Sequence, residues 1–460
     1  MAHGAARRGR QDAGLSSRGP FSGRAARAST CAMLRVLCFL ALTFPVSAME
    51  FPAPVTDADY RATDPDVVAL GRLLFWDPIL SGNRNISCGT CHHPDFGTGD
   101  GLSLGLGEGG TGLGPDRVAD PNNLPEQRIP RNAPGLWNLG AREFTVLFHD
   151  GRIEQTEDGL RTPMGPEMEQ GFATLLSAQT MFPVLSADEM AGHYSENEIS
   201  RAVRQGIITG EGGAWDLLSA RVRAIPAYAE MFDTAMPGRD ITFTAISDAI
   251  AQFVEHEWRS DTAPFDAWLR GEGSLHPNAL AGIELFYGSA GCADCHSGPF
   301  QTDHGFHAVG APQLGPGKAA RFESHARDDG RMRVTGRDSD RFAFRTPSLR
   351  NVTETGPWGH AGSHSNLRRF LADHAAPRSG LATYLRDATL SPMDTDDWRI
   401  LNDPTEVTAL SASIQGPDRV LAEGEISALM AFLETLRDAN ALTGRAGIPG
   451  AVPSSLPIDR

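Results

Sequence analysis

Apolar residues recur along much of the chain at the three- and four-residue spacing of amphipathic helices. The first such run, within residues 56–92, is built on Val67, Val68, Leu70, Leu73, Leu74 and Phe75. Similar runs cover residues 186–205, 216–234, 242–258 and 425–437, and another begins after Pro264 and ends near Phe286. No series of alternating apolar and polar residues predicts a set of strands. The pattern therefore predicts a mainly α protein.

Long segments between these helical runs have no apolar period. Residues 97–114 are rich in glycine, residues 130–170 are interrupted by proline and glycine, and residues 300–345 are mostly polar. The glycine-rich segment follows no strand pattern and lacks the Lys-Ser/Thr pair of a phosphate-binding loop. We therefore expect long irregular loops.

The first 48 residues differ in character from the rest. Residues 1–32 are rich in Arg, Gly and Ala, and we expect them to be disordered or a non-native extension. Residues 33–48 have a basic start, an apolar centre and small residues at the end, which is typical of a signal peptide cleaved near Ala48. The apolar centre is too short to span a membrane. We expect an exported, periplasmic protein without a membrane span.

The charge of the chain limits the partners that it can bind, and the positions of its cysteines limit the disulfides that it can form. The 460-residue chain has a formal net charge of −16. Nucleic acids and anionic lipids repel such a surface, so neither is an expected partner. Cys31 and Cys38, two of the six cysteines, lie in the predicted leader region. The mature chain should therefore contain no disulfide.

The other four cysteines form two C-x-x-C-H patterns. These are Cys88, Cys91 and His92, and again Cys292, Cys295 and His296. On a helical turn the three side chains share one face, so that two thiols can bond to a porphyrin while the histidine reaches its iron. Redox dithiols or a split zinc site would share the cysteine spacing, but neither requires the histidine. The sequence predicts two covalently bound c-type haems.

The surroundings of these motifs resemble those of the bacterial diheme cytochrome c peroxidases. The resemblance is carried by Leu70–Phe75, Ile86–Cys88, Arg131–Pro134, Phe148–Arg152, Phe344–Asn351 and Gly356–Gly362. The same superfamily includes the MauG and MbnH enzymes, which oxidise tryptophans in partner proteins, and MbnH is the nearer relative on the ligands considered below.

The resemblance implies two cytochrome-c-like helical domains with one haem each. We expect a domain with the peroxidatic haem at residues 56–262, a domain with the electron-transfer haem at 263–442, and a loose tail at 443–460. A calcium ion between the domains would be bound by Asn132 and by the backbone carbonyls of Thr355 and Pro357. Carbonyl and amide oxygens are the ligands that calcium prefers.

At the first haem, the sequence predicts an open coordination position. No His, Met, Tyr, Lys or Cys lies between His93 and His149, where the family's inactive-state ligand should fall. Either flanking histidine could still swing in. By resemblance, Glu167 moves the proton during peroxide cleavage and Gln155 lines the pocket. His149 stands where several members place a charge-relaying Trp, and a structural role for it is an alternative.

At the second haem, the sixth ligand determines the function. The family's ligand lies 17 residues after the proline that corresponds to Pro357, which gives His374. Competing candidates are His304, His307, His360, His364 and Met393. Ligation by His296 and His374 should lower the reduction potential. Such a haem is better suited to share oxidising equivalents with the first haem than to draw electrons from a high-potential cytochrome.

Three functions follow. The first is a peroxidase that reduces hydrogen peroxide at the first haem, with electrons relayed through the second from a small cytochrome or copper protein. The second is an enzyme that oxidises a residue, such as Trp, on a specific partner protein. The third is a non-catalytic electron carrier, which the missing ligand at the first haem disfavours.

Overall fold

The computed structural model describes residues 50–318 and 323–460. The predicted extension at 1–32 and the predicted signal peptide at 33–48 lie outside the described residues. Within those ranges the fold is mainly helical, as expected. The α-helices are α1 (Pro65–Trp76), α2 (Cys88–Cys91), α3 (Leu175–Thr180), α4 (Glu198–Gln205), α5 (Ala214–Arg223), α6 (Pro226–Ala235), α7 (Phe243–Glu257), α8 (Pro264–Leu269), α9 (Pro277–Glu284), α10 (Met332–Thr335), α11 (Leu367–Ala375), α12 (Pro377–Ala382), α13 (Arg399–Asn402), α14 (Pro404–Ser413) and α15 (Glu423–Thr435).

Short antiparallel strands accompany the helices. They are β1 (Gly110–Thr111), β2 (Val118–Ala119), β3 (Val146–Leu147), β4 (Ile153–Thr156), β5 (Gly159–Arg161), β6 (Phe306–His307) and β7 (Phe344–Arg345). They pair as β1–β2, β3–β4–β5 and β6–β7. Because each strand has only two to four residues, its apolar alternation is too short to be recognised in the sequence. None of the helices in the described part of the chain is long and apolar enough to cross a membrane.

The first apolar core forms where α1 packs against α7. The two backbones approach so closely that a Cβ on Gly71 would lie 1.8 Å from the carbonyl oxygen of Ala249. Phe75 of α1 contacts Phe253 of α7, with ring centres 5.3 Å apart. Only glycine at position 71 permits this crossing, which brings the buried faces of both helices together beside the first cysteine motif.

The second apolar core repeats this arrangement with α9 and α15. Here a Cβ on Gly282 would lie 2.0 Å from the carbonyl oxygen of Ala428. Phe286, just after α9, packs on Phe432 of α15, with ring centres 4.8 Å apart. Each cysteine motif therefore follows a helix that crosses a later helix at a glycine.

Several predicted helices are interrupted. The run at 186–205 is divided by Gly192, whose φ of +95° ends the preceding π-helical turn. The run at 216–234 is divided by Pro226, which cannot donate a backbone hydrogen bond and starts α6. The helices α11 to α14 were not predicted, although α11 carries the candidate ligand His374.

Residues 443–460, which we call the strap, pack against the first core rather than forming the expected loose tail. The Glu257 carboxylate accepts hydrogen bonds from three successive backbone N–H groups, those of residues 445–447, at 2.6–3.0 Å. Asp77 accepts a hydrogen bond from the Ser454 hydroxyl at 2.6 Å. Val452 is buried. These partners are distant in sequence, so the composition of the segment gave no sign of its anchoring.

A buried ion pair ties α8 to the segment after β7. The side chains of Arg350 and Asp266 are both 0% exposed. Two guanidinium N–H groups face the two carboxylate oxygens, and Arg350 Nε also donates to the carbonyl oxygen of Pro299 at 3.1 Å. Asp266 additionally accepts from the backbone N–H of Val55 at 3.1 Å. Each side chain of the pair therefore depends on the other to compensate its buried charge.

We expect Arg350→Met to lower the free energy of unfolding by about 3–5 kcal/mol, because it leaves the Asp266 carboxylate buried without its cation. Urea titration of the haem-loaded protein measures this. The combined Arg350→Met, Asp266→Leu change should recover much of the loss. Arg270→Met removes a more exposed pair with Glu272 and should cost less than about 1 kcal/mol. Equal losses for Arg350→Met and Arg270→Met would contradict the prediction.

Candidate functional site

At the first motif, α2 brings Cys88, Cys91 and His92 onto one turn, and the backbone N–H of His92 donates to the carbonyl oxygen of Cys88 at 2.9 Å. The imidazole Nδ1 donates to the carbonyl oxygen of Thr98, also at 2.9 Å. This bond fixes the tautomer and directs the lone pair of Nε2 outward. Burial lowers the pKa of His92, which keeps the ring neutral. A neutral imidazole with a free Nε2 is what a metal requires.

The second motif has the same geometry. The backbone N–H of His296 donates to the carbonyl oxygen of Cys292 at 2.9 Å, and Nδ1 donates to the carbonyl oxygen of Gln301 at 3.1 Å. Thr98 and Gln301, the two acceptor residues, both have left-handed backbone, with φ of 62° and 50°. The turn at each site thus aims a carbonyl group at the histidine. The structure presents both histidines as ligands with their orientation already fixed.

The four thiols of the two motifs are free, and the described residues contain no disulfide. Burial raises the pKa of Cys88 and of Cys91 to about 12 and that of Cys292 to about 11. Thiols held neutral in this way carry no charge that burial would penalise. They suit thioether bonds to a porphyrin, in which the sulfur carries no charge. The donor set therefore fits a covalently attached haem at each motif.

A second histidine faces His296. His374, on α11, lies with its ring centre 6.3 Å from that of His296. Two imidazoles on opposite sides of one metal, each with a bond of about 2 Å, have ring centres about 6 Å apart. Burial, followed by the nearby His296 and His364, lowers the pKa of His374 to about 4, so that it is neutral. The spacing fits axial ligation of one iron by both rings.

The competing ligands of the second haem have other partners. His304 contacts Glu143 through Nε2 at 3.1 Å, and His307 contacts Asp303 at 2.8 Å. The His360 ring stacks on Phe344, with ring centres 3.8 Å apart.

His364 has both ring nitrogens engaged, one with Ser363 and one with Asp373. The backbone carbonyl oxygen of Met393 accepts from the N–H of Thr395 at 2.9 Å. In the ring contacts of the described residues, His374 is the candidate that reaches His296.

The motifs that carry the family resemblance meet around a buried arginine. Arg131 pairs with Asp150 at 2.7 Å and with both carboxylate oxygens of Asp328 at 2.6 and 2.8 Å. This charge network holds the pKa of each aspartate below its usual value despite burial. It joins the loops of the first half of the chain to those of the second half, between the two motifs.

His149 lies beside this network and acts there as a hydrogen-bonding group. Its Nε2 donates to the carbonyl oxygen of Asn132 at 3.1 Å. Burial and the neighbouring Arg131 lower the pKa of His149 to about 3. With Nε2 engaged in this bond, that nitrogen is not free to bind a metal. The geometry supports the structural role over the relay role.

The other flanking histidine, His93, is fully buried. Its Nδ1 accepts from the backbone N–H of Asp95 at 3.2 Å, so the proton of the neutral ring is on Nε2. Among the described residues, Nε2 has no hydrogen-bond partner. A protonated Nε2 cannot donate a lone pair to iron. Neither flanking histidine is prepared to close the first coordination site.

The predicted catalytic residues Glu167 and Gln155 are both exposed. Glu167 ends a 3₁₀ turn, Gly165–Glu167, and its carboxylate makes no hydrogen bond or ion pair within the described ranges. Gln155 lies in β4 opposite Leu160. Within the described ranges, no contact joins either side chain to His92. The exposed carboxylate of Glu167 is accessible to small molecules from solvent.

The segments that carry the predicted calcium ligands contact each other. The Asn132 amide group donates through Nδ2 to the carbonyl oxygens of Leu102 and Ser103, which leaves Oδ1 free. The carbonyl oxygens of Thr355 and Pro357 accept no hydrogen bond from the described residues. A Cβ on Gly135 would lie 3.2 Å from Thr355, so the two segments are in contact. Three free oxygens are suitable ligands for a hard cation.

Residues that sequence reasoning missed act through their backbone or through distant pairing. Thr98 and Gln301 orient His92 and His296 with carbonyl groups, which any residue type could supply. Asp328 pairs with Arg131 across 197 residues. The Arg-Asn-Ala-Pro motif identified the arginine, but no local pattern could identify its partner.

The chain resembles several known proteins. The sequence pattern of a family described as di-haem cytochrome c peroxidase matches residues 65–274. The methylamine utilization protein MauG of Methylorubrum extorquens is 30% identical over 84% of this chain and 82% of its own length. Cytochrome c551 peroxidase of Nitrosomonas europaea is 28% identical over 73% of this chain and 83% of its own length. A solved MauG-like protein associated with microbial copper homeostasis is 24% identical and has a TM-score of 0.54, covering 87% of this chain and 97% of that one. The last similarity concerns the fold.

Proposed function

The chain belongs to the di-haem cytochrome c peroxidase family and is a diheme peroxidase-type oxidoreductase, and from this premise we propose that it is a periplasmic enzyme that reacts with hydrogen peroxide at the haem of the first motif. The observation that carries this proposal is the difference between the motifs. His296 faces a second histidine at ligand spacing, whereas His92 has none among its described ring contacts. His374 would therefore close the second iron, and among the described ring contacts no corresponding histidine would close the first.

The chain's own residues prepare the two sites. Cys88 and Cys91 attach the first haem and Cys292 and Cys295 the second, and bound haem supplies the redox chemistry. The Thr98 and Gln301 carbonyls hold His92 and His296 in the ligand tautomer. Glu167 would take a proton from one peroxide oxygen and return it to the other, which is the role of a general acid–base group. Gln155 lines the pocket.

The proposed roles of the two haems correspond to the two apolar cores. We assign residues 56–262 to the domain of the peroxidatic haem and 263–442 to the domain of the electron-transfer haem, each resembling a cytochrome c. A calcium ion bound by Asn132, Thr355 and Pro357 links the two. His149 and Arg131 stabilise the same junction.

A second candidate function is the oxidation of a residue, such as Trp, on a specific partner protein. The histidine pair at the second haem favours it, because a basic sixth ligand lowers the potential and makes electron uptake from a high-potential donor less favourable. The 30% identity to MauG agrees with this candidate.

Mixing the haem-loaded protein with hydrogen peroxide and a reduced small cytochrome tests the proposal. We expect the protein to consume peroxide, and the cytochrome to be oxidised catalytically if the enzyme is a peroxidase. Slow cytochrome oxidation with peroxide still consumed would instead identify the protein-oxidising function. No reaction with peroxide in either assay would contradict the proposed function. Stopped-flow absorbance at the haem bands and at the cytochrome α-band separates the outcomes.

A further inference from the structure

The strap, residues 443–460, contacts the first haem motif directly. Asp459 Oδ2 accepts a hydrogen bond from the Thr90 hydroxyl at 2.5 Å. Thr90 lies between the two cysteines of the motif and is 0% exposed. Its hydroxyl oxygen also accepts from the backbone N–H of Ser87 at 3.0 Å, which caps α2. One carboxylate of the strap thus fixes the hydroxyl that organises the cysteine-bearing turn.

The strap is held firmly enough to position this carboxylate. Glu257 binds its first turn through three backbone N–H groups. Arg72 of α1 donates to the carbonyl oxygen of Gly447 at 2.7 Å, and Asp77 binds Ser454. Leu456 and Ile458, the residues before and after residue 457, both pack on the first apolar core. Asp459 is therefore the end of an ordered segment.

The Asp459 charge lies close to the motif. Its Oδ2 accepts from the hydroxyl of Thr90, the residue before Cys91, so the carboxylate contacts the turn that bears both cysteines. A negative charge in a half-buried location stabilises the more positive of two states of a nearby group, because the surrounding dielectric is low. For an iron attached at this turn, the more positive state is the oxidised one.

We propose that Asp459 is a positioning residue of the first haem site, which holds the cysteine-bearing turn through Thr90 and lowers the reduction potential of the haem attached there. This rests on the proposed attachment of a haem at Cys88 and Cys91. A haem of lower potential held at this turn would stay oxidised at rest, which is the state from which the proposed reaction with peroxide would start.

Asp459→Asn tests the charge while it keeps an acceptor oxygen for Thr90. We expect the midpoint potential of the high-spin haem to rise, as measured by spectroelectrochemistry, while that of the low-spin haem is unchanged. Asp459→Glu should restore the wild-type value. Glu434→Gln is the matched control, because it removes one carboxylate at an exposed position of α15 and should shift neither potential.

Thr90→Val tests the contact from the other side. Because Thr90 and Asp459 touch, the shifts caused by Thr90→Val and Asp459→Asn should be smaller in combination than their sum. Asp459→Ala is a second variant that removes the charge if the asparagine loads haem poorly, and it should also raise the potential. Unchanged potentials in both Asp459 variants, with two haems bound per chain, would overturn the inference. A protein without haem at the first motif would instead overturn the proposed function.

Discussion

Glu167→Gln is expected to slow the reaction with hydrogen peroxide by about 10²–10⁴-fold, the range that a positioned general acid–base group contributes. Glutamine keeps the size and polarity of the side chain but can neither accept nor return the peroxide proton. Because Glu167 is exposed and forms no ion pair in the described ranges, the change should leave folding and haem content intact. Stopped-flow mixing with peroxide measures the second-order rate constant.

Glu157→Gln is the matched control for this prediction. Glu157 is also an exposed carboxylate, in the turn between β4 and β5, and its loss should leave the rate within twofold of wild type. Gln155→Ala should have a smaller effect than Glu167→Gln, since an amide contributes polarity without proton transfer. A wild-type rate for Glu167→Gln would remove this residue from the mechanism and direct attention to other acids near the first motif, such as Asp100.

His374→Ala is expected to change the spin state of one haem completely. The ferric wild-type protein should show one high-spin and one low-spin haem by EPR, because His296 and His374 together close the second iron. Removing the His374 ring leaves that iron five-coordinate, so the low-spin signal should disappear while the first high-spin signal remains. Added imidazole, which can enter the vacated space, should restore the low-spin signal.

His364→Ala tests whether a change in the low-spin signal comes from loss of an iron ligand or from a general disturbance of α11. His364 is buried near His374 but has both ring nitrogens engaged by Ser363 and Asp373. We therefore expect its replacement to retain the low-spin signal. Loss of that signal in His364→Ala but not in His374→Ala would assign the sixth ligand to His364. Two low-spin signals in the wild-type protein would contradict the open first site.

The sequence predicted the parts of this fold that depend on local pattern. The period around Leu70 and Leu74 predicted α1, and the run at 242–258 predicted α7 almost to the residue. The C-x-x-C-H spacing identified six candidate haem-binding residues, because haem attachment requires the two cysteines and the histidine of each motif to lie close together in the sequence. Such features can be read locally, since the interactions that define them lie within a few residues.

The features that escaped prediction depend on partners far along the chain. Arg350 and Asp266 are separated by 84 residues, and neither is surrounded by a pattern that marks it as buried. The strap is anchored by Asp77 and Glu257, which belong to different helical regions. His374 was found only by counting from Pro357, because its own helix was not predicted. The backbone carbonyls of Thr98 and Gln301 leave no trace in residue type.

The contact between Thr90 and Asp459 joins positions that are 369 residues apart. At synthesis rates of 5–20 residues per second, residue 459 is made roughly 20–70 s after residue 90. The carboxylate that holds the turn bearing Cys88 and Cys91 is therefore supplied by a segment made long after that turn, so the turn reaches its final hydrogen bonding only after the two halves of the chain have come together.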